Sequence, residues 1–407
     1  MVLIKIDKKK LLESRSQTLF KIKEIIGEFN STSPPSVFVG SKLQYPAVNV
    51  GILSPPEQKK DAWLYDAQNY WAKNEFKLED VINFRRSLIN SRFKSNVNAI
   101  TSSQSNLNKK FLEISQELAM ATKSVDLEME LKKKAMIRLD FDNVNMPMGP
   151  RAELKNVKLT ENPRIHTKIE QVVSDIDLKS TEAISTLYKK NFDEHAISKL
   201  LSIGMFGLKK DRRLVPTRWS ITATDDLIGK SLLEKIRYYP RLEEHKIFFG
   251  NYFGNYYLVI LLPEMLSYEL FEMYLQDSAW NKASGISMAT DFEDFFGRKK
   301  YASNTVGGYY AARLAVLEYL TKIKKQASIL VLRFETPEYW ASMGVWVVRS
   351  AARKAMETKE ENFESKDVAL NYAYGKIKKH LNFDITQILK ESKILNKKQI
   401  SLNKFIS

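Results

Sequence analysis

KIFFGNYFGNYYLVILLP, residues 246–263, decides the reading of the fold. Its two halves, KIFFGNYF and YYLVILLP, are dense in the aromatic and branched side chains that suit a pleated, buried surface. Gly254 and Asn255 between them offer the backbone freedom of a tight turn, so the stretch reads as a β-hairpin. ASILVLRFE, from Ala327, reads as a further buried strand, and RLVPTRWSITAT, from Arg213, as another. Helical spacing occupies the intervals at about 264–276, 308–325, 346–357 and 365–380. Helices gathered around a hairpin predict an α+β fold, with a mixed, largely antiparallel sheet, packed helices and a flexible C-terminal peptide.

The first half carries its own punctuation. Residues 1–30 have the pattern of a basic helix. The proline pairs at Pro34 and Pro55 then exclude helix, while SVFVG and AVNVG between them read as short strands. Aromatics Trp63, Tyr70, Trp71 and Phe76 open a helical stretch extending to about residue 96, and a second runs over about 109–134. STEAISTLYKKNFDEHAISKLLSIG, from Ser180, contains two short helices parted near Asn191. Toward the end, Asp384 is placed to cap a helix in FDITQILKESKIL, with Gln387 reaching back. The expected organisation is a basic helix over 1–30, regions over 31–285 and 286–396, and a tail over 397–407.

Composition excludes several chemistries. The 407 residues contain no cysteine, hence no disulfide, thiolate metal site or cysteine nucleophile. His166, His195, His245 and His380 are the only histidines and none stands at ligand spacing, so no metal site is expected. The longest apolar run, Tyr256–Leu262, stops at Pro263, far short of the roughly 18 residues of a membrane span. A cytoplasmic, chromosome-associated protein with no membrane partner is expected. Lys and Arg total 64 against 48 Asp and Glu, a net charge of +16 whose long-range field attracts polyanions such as DNA.

Four constellations carry chemistry. In TRWSITATDD, from Thr217, Arg218 offers a phosphate clamp and Trp219 a stacking surface or a core residue. Asp225 and Asp226 beyond them could hold Mg²⁺, making all three charged residues candidates for a nuclease or group-transfer site. Asp140 and Asp142 in LDFD would share one strand face, as a paired-carboxylate Mg²⁺ site requires. IGKS, from Ile228, resembles a phosphate loop in context, but lacks the first glycine, whose place Thr224 takes. Arg212 and Arg213 in KKDRR, with Arg298, Lys299, Lys300 and Tyr301 in RKKY, combine cations with a ring. That suits neutralisation of a nucleic-acid backbone alongside base stacking.

QISLNKFIS, residues 399–407, places Gln399, Leu402, Phe405 and Ile406 at i, i+3, i+6 and i+7. One tight turn sets the leucine and the ring on a common side. This resembles the peptide by which replication and repair proteins dock on the sliding clamp PCNA, Gln399 matching its polar pocket and Leu402 and Phe405 its plug. Ile406 stands where a second aromatic is usual.

The body adds PPSVFVG, YPAVNVGILSPP, MPMGP, VPTRWSITATDD, GGYYAARLAVLEYL and PEYWASMGVWVVR. Together these strings resemble the archaeal Nre family from about residue 30 to the tail. The resemblance implies a role in DNA repair beside the clamp, with DNA and other repair proteins as partners. Many family members also carry an N-terminal four-cysteine zinc module, which a chain without cysteine lacks. Three readings stay open: a clamp-recruited repair factor that binds or processes DNA, an enzyme centred on TRWSITATDD, and a repair scaffold without catalysis. Mg²⁺ is a cofactor only in the nuclease version, and otherwise none is expected.

Overall fold

A computed structural model describes residues 27–41, 43–100, 106–133, 149–281 and 284–396. Of the basic helix expected over 1–30, residues up to 26 lie outside the described residues and residues 28–30 form strand instead; the LDFD carboxylates, residues 146–148 of the MPMGP turn and the 397–407 tail also lie outside them. The chain forms two compact units, which divide inside one helix between Ile228 and Gly229, with Ala341–Gly344 returning to the first.

The first unit is built on β1 (Glu28–Ser33), β2 (Ser36–Val39), β3 (Ala47–Ser54), β4 (Ile89–Asn96), β5 (Val125–Leu131) and β6 (Arg151–Leu159). They form one sheet in the order β1-β5-β6-β4-β3-β2, antiparallel throughout except for the β4/β6 pair. Its helices are α1 (Gln68–Lys73), α2 (Leu78–Arg86), α3 (Asn106–Met120), α4 (Thr167–Ser174), α5 (Ser180–Lys189) and α6 (Glu194–Ser202). The strands expected between the proline pairs form as β2 and β3, and the two short helices from Ser180 as α5 and α6. Two helical expectations run too far: the stretch ending near residue 96 closes in β4, and the one ending near 134 closes in β5. VDLEMEL alternates apolar and polar residues strictly, INSRFKSN does not, and a partner strand on each side fixes both as sheet.

Asp66, at the end of the 3-10 turn Ala62–Asp66, has a side chain only 8% exposed and is paired with Arg85 of α2. Burial opposes its ionisation, but Arg85 and then Lys199 outweigh it and hold the carboxyl below the ordinary value of 3.8. A depressed folded-state value means stability is present above 3.8 and lost as pH falls through the lower one. Urea unfolding midpoints measured from about pH 5 down to about pH 3 should therefore fall, and Asp66→Asn should flatten that fall.

The dividing helix is α7 (Thr217–Ile236), and it corrects the strand expected from Arg213. Trp219 and Ser220 amides both bond to the Pro216 carbonyl, starting the helix, and Ser220, Thr224, Ile228, Leu232 and Ile236 are all buried. Repetition every four residues is a helical stripe, and it outweighs the β-branched content that suggests a strand. IGKS accordingly lies within this helix, not at the start of one. Trp219 is 51% exposed, so it is not a core residue.

The second unit contains β7 (His245–Tyr252), β8 (Asn255–Leu262), β9 (Ser267–Tyr274), β10 (Ser287–Glu293), α8 (Val306–Ile323), β11 (Ser328–Glu335), α9 (Val345–Met356), β12 (Glu361–Phe363), α10 (Lys366–Leu381) and α11 (Thr386–Glu391). The hairpin is β7/β8, and it turns through Phe253 and Gly254, both at positive φ, not through Gly254 and Asn255 as expected, because Asn255 already pairs with Tyr252 as the first residue of β8. The sheet order is β10-β9-β11-β8-β7-β12, with only β9/β11 parallel. This is the mixed, largely antiparallel α+β architecture expected. The helix expected at about 264–276 is instead β9, paired along its whole length with β10 and β11.

One face of this sheet is apolar. Leu258, Ile260, Leu262, Phe271, Met273, Leu330, Leu332 and Phe334 pack there against Ala369, Ala373 and Ile377 of α10 and Ile388 of α11. Asp384 accepts from the Thr386 amide at 2.8 Å as α11 begins, while Gln387 reaches forward to Glu391 rather than back. The opposite face carries the polar residues that matter for the site.

Candidate nucleic-acid interface

Strands expose alternate residues to one face, so β8, β9 and β11 bring Asn255 and Tyr257, Glu272 and Tyr274, and Arg333 and Glu335 together. Arg333 Nη1 bonds Glu272 at 2.7 Å, Nη2 bonds Glu335 at 2.9 Å, and Nη2 and Nε reach Asn255 Oδ1 at 2.6 and 3.1 Å. The Trp280 amide donates to Glu335 at 3.0 Å, and Tyr274 donates to Glu272 at 2.6 Å. Burial pushes the Glu335 carboxyl above the usual carboxylate range, against the pull of Arg333. Burial likewise raises the Tyr257 and Tyr274 hydroxyls, keeping both neutral. Nothing in the sequence reading identified this network, although paired polar residues two apart in three apolar strands are its signature.

The network lies against the first turn of α8. Gly308, in its first turn, lies so close to Glu272 that a Cβ there would come within 2.2 Å of Oε1, which only glycine avoids. Asp291 of β10 takes the Asn304 and Thr305 amides at 2.9 and 2.8 Å and the Thr305 hydroxyl at 3.0 Å. A carboxylate of the protein's own thus sits at the entry to the positive end of α8.

Between β10 and α8 runs the loop Asp294–Tyr301. Its anchor is Arg298, which donates to the carbonyls of Phe292 at 2.9 Å, Lys300 at 3.2 Å and Tyr301 at 3.3 Å and pairs with Asp291 at 3.2 Å. Beneath it, Arg313 grips both oxygens of Glu293 at 2.9 Å and lies 5.1 Å from the Tyr310 ring. Arg237, at the end of α7, donates to Phe295 O at 2.9 Å. Around this scaffold an open cleft of about 250 Å³ is lined by Phe292, Glu293, Asp294, Gly297 and the Arg298–Lys300 run. Lys299 and Lys300 face solvent, Tyr301 is 56% exposed and Lys230 Nζ lies 6.0 Å from its ring. Cations and rings on a fixed loop are what contact with a nucleic-acid backbone uses.

The other sequence candidates lie in the first unit. Arg212 donates to the carbonyls of Gly207, Val173 and Asp175 at 3.0, 2.8 and 3.0 Å, closing the C-terminal end of α4. Burial lowers its pKa. Arg213 and Arg218 are exposed, whereas Asp225 and Asp226 are buried. Seven and eight residues along a helix from Arg218, these carboxylates sit roughly 10 Å further along the axis, too far to share one phosphate group with it. Among the described residues no three carboxylates or imidazoles form a group able to hold a metal ion, and no helix is long and apolar enough to cross a membrane. His166 serves as a helix cap, its ring accepting from the Lys168 amide at 3.0 Å.

The chain matches the family description Archaeal Nre, N-terminal, over residues 7–281 and Archaeal Nre, C-terminal, over residues 293–405. It is 39% identical to the DNA repair protein NreA of Archaeoglobus fulgidus over 85% of this chain and 84% of that one. NreB of the same organism, also named a DNA repair protein, is 36% identical over 90% and 88% of the two chains. The DNA repair protein NreA of Haloferax volcanii is 36% identical over 79% and 77%. No solved structure matches the chain. Matches of this length and identity, to both family regions, place the chain in the archaeal Nre family.

Proposed function

We propose that this chain is a DNA-repair factor, recruited to the PCNA clamp by Gln399, Leu402, Phe405 and Ile406, whose basic body holds DNA. The repair role is supported by relatives that are all named DNA repair proteins. The observation that carries the DNA contact is the Asp294–Tyr301 loop, where Arg298 fixes the backbone and leaves Lys299, Lys300 and Tyr301 displayed on a net +16 chain. Arg213 and Arg218 add exposed charge on the first unit. Lysines and exposed rings recognise backbone and base faces rather than base edges, so the contact is largely independent of sequence.

Clamp recruitment is tested by removing residues 398–407 and measuring PCNA affinity by calorimetry. Burying Leu402 and Phe405 is worth about 1.5–3 kcal/mol each, so deletion should weaken binding more than about 100-fold. Leu402→Ala with Phe405→Ala should do nearly the same, while DNA affinity stays unchanged. Unaltered clamp affinity after deletion would sink the recruitment claim.

A further inference from the structure

Phe296 is 85% exposed, and no other phenylalanine among the described residues is exposed. Its setting is built for display. The Phe296 amide bonds Asp294 Oδ1 at 2.9 Å and the Gly297 amide bonds Asp294 O at 3.0 Å, closing a tight turn with the ring at its tip. Gly297 follows at φ +81°, a conformation suited to glycine, and a Cβ there would stand 3.3 Å from Arg237 Nη2. Behind the ring, Phe295 meets it edge to face at 5.6 Å and lies under the Arg237 guanidinium at 5.8 Å.

From these features we infer that Phe296 is a stacking wedge, and that the loop selects single-stranded or locally unpaired DNA over intact duplex. The inference rests on the DNA-binding reading above and adds the kind of DNA. A phenyl ring has no donor or acceptor for base edges, so its useful contact is with a base face. In a paired duplex those faces are covered by neighbouring bases, and inserting a ring means unstacking a step. In an unpaired strand they are already available. Phe296 and Tyr301 are five residues apart, with Lys299 and Lys300 between them, so two exposed rings flank point charges that can meet the phosphates of the same strand. The carboxylates nearby are occupied: Glu293 is held by Arg313, and Asp294 is committed to the turn. Because the turn is braced, little motion is lost when a base settles on the ring.

The test is fluorescence anisotropy of the full chain on a labelled strand of about 20 nucleotides, on the matching duplex, and on that duplex with a central unpaired gap. The single strand and gapped duplex should bind more tightly than the intact duplex. Phe296→Ala should weaken the first two about 5- to 100-fold and leave intact duplex within about twofold, while Phe296→Trp should restore binding. Lys299→Glu with Lys300→Glu should weaken all three substrates and lower the salt dependence by about one unit per lysine. Equal affinity for strand and duplex, or a Phe296→Ala protein that binds single strands normally, overturns the wedge. If the lysine changes still weaken binding in that case, the DNA reading survives without it; if the chain binds none of the three DNAs, both fall. Circular dichroism melting of Phe296→Ala should match the parent, since the side chain is at the surface.

Discussion

Arg333→Leu is expected to lower the stability of the second unit by about 3–5 kcal/mol at neutral pH, the range for removing one partner of a buried ion pair. The guanidinium is the shared donor for Glu272, Glu335 and Asn255, all nearly inaccessible to water. Without it, two carboxylates remain in a low-dielectric setting and repel each other, so their folded-state pKa values rise. The sign of the pH dependence follows. Where a folded carboxyl titrates above its unfolded value, the native state binds more protons in between, and stability falls as pH rises. Glu335 already shows that direction in the parent, through burial. In Arg333→Leu the effect should be larger, so the deficit should shrink as pH is lowered from about 7.5 to about 5. Urea unfolding at the two pH values checks both parts. A loss below about 1 kcal/mol, or one independent of pH, would mean that the network is dispensable.

What the sequence could reveal depended on whether the physics was local. The β7/β8 hairpin was legible because both strands are apolar and the turn residues between them are distinctive. SYELFEMY was not, because Glu, Leu and Met favour helix and Leu266, Leu270 and Met273 fit helical spacing. Its identity as β9 is imposed by hydrogen bonding to β10 and β11, which are distant in sequence. For α7 the deciding pattern, a buried residue every fourth position from Ser220 to Ile236, was present but was masked by threonines and isoleucines. The site shows the same division. Lys299, Lys300 and Tyr301 stood out by composition, but a count of cations does not say which are engaged. Arg298 and Arg212 each spend their guanidinium on backbone carbonyls of their own unit. Phe296 gives no sequence signal of its exposure, because an apolar ring in DFFG fits a core equally well, and only the turn that Asp294 closes turns it outward. The Arg333 network needs three strands in register, and register is a tertiary fact.

Glu269→Ala should have the second large effect, and it acts on the last described segment before the clamp-like peptide. Glu269 points to the apolar face, opposite Glu272, and its carboxylate accepts from the Ser392 hydroxyl at 2.6 Å, the Lys393 amide at 3.0 Å and the Ile394 amide at 3.2 Å. Ser392 and Ile394 are buried, so alanine would leave two amides and a hydroxyl without their acceptor. Each buried group left unsatisfied costs about 1–3 kcal/mol, and partial entry of water brings the expected total to about 2–4 kcal/mol. Glu269→Gln keeps one acceptor oxygen and should lose less than half as much. The damage should be local, because Ile385, Ile388 and Ile394 dock this segment on the sheet and would be released together. Hydrogen exchange should therefore accelerate for amides of residues 385–396, with β8 and β11 unchanged. On the recruitment reading proposed above, clamp affinity should stay within about twofold of the parent, because the anchors that reading assigns begin at Gln399. Protection at 385–396 equal to that of the parent would show that Ile385, Ile388 and Ile394 hold the segment without the carboxylate.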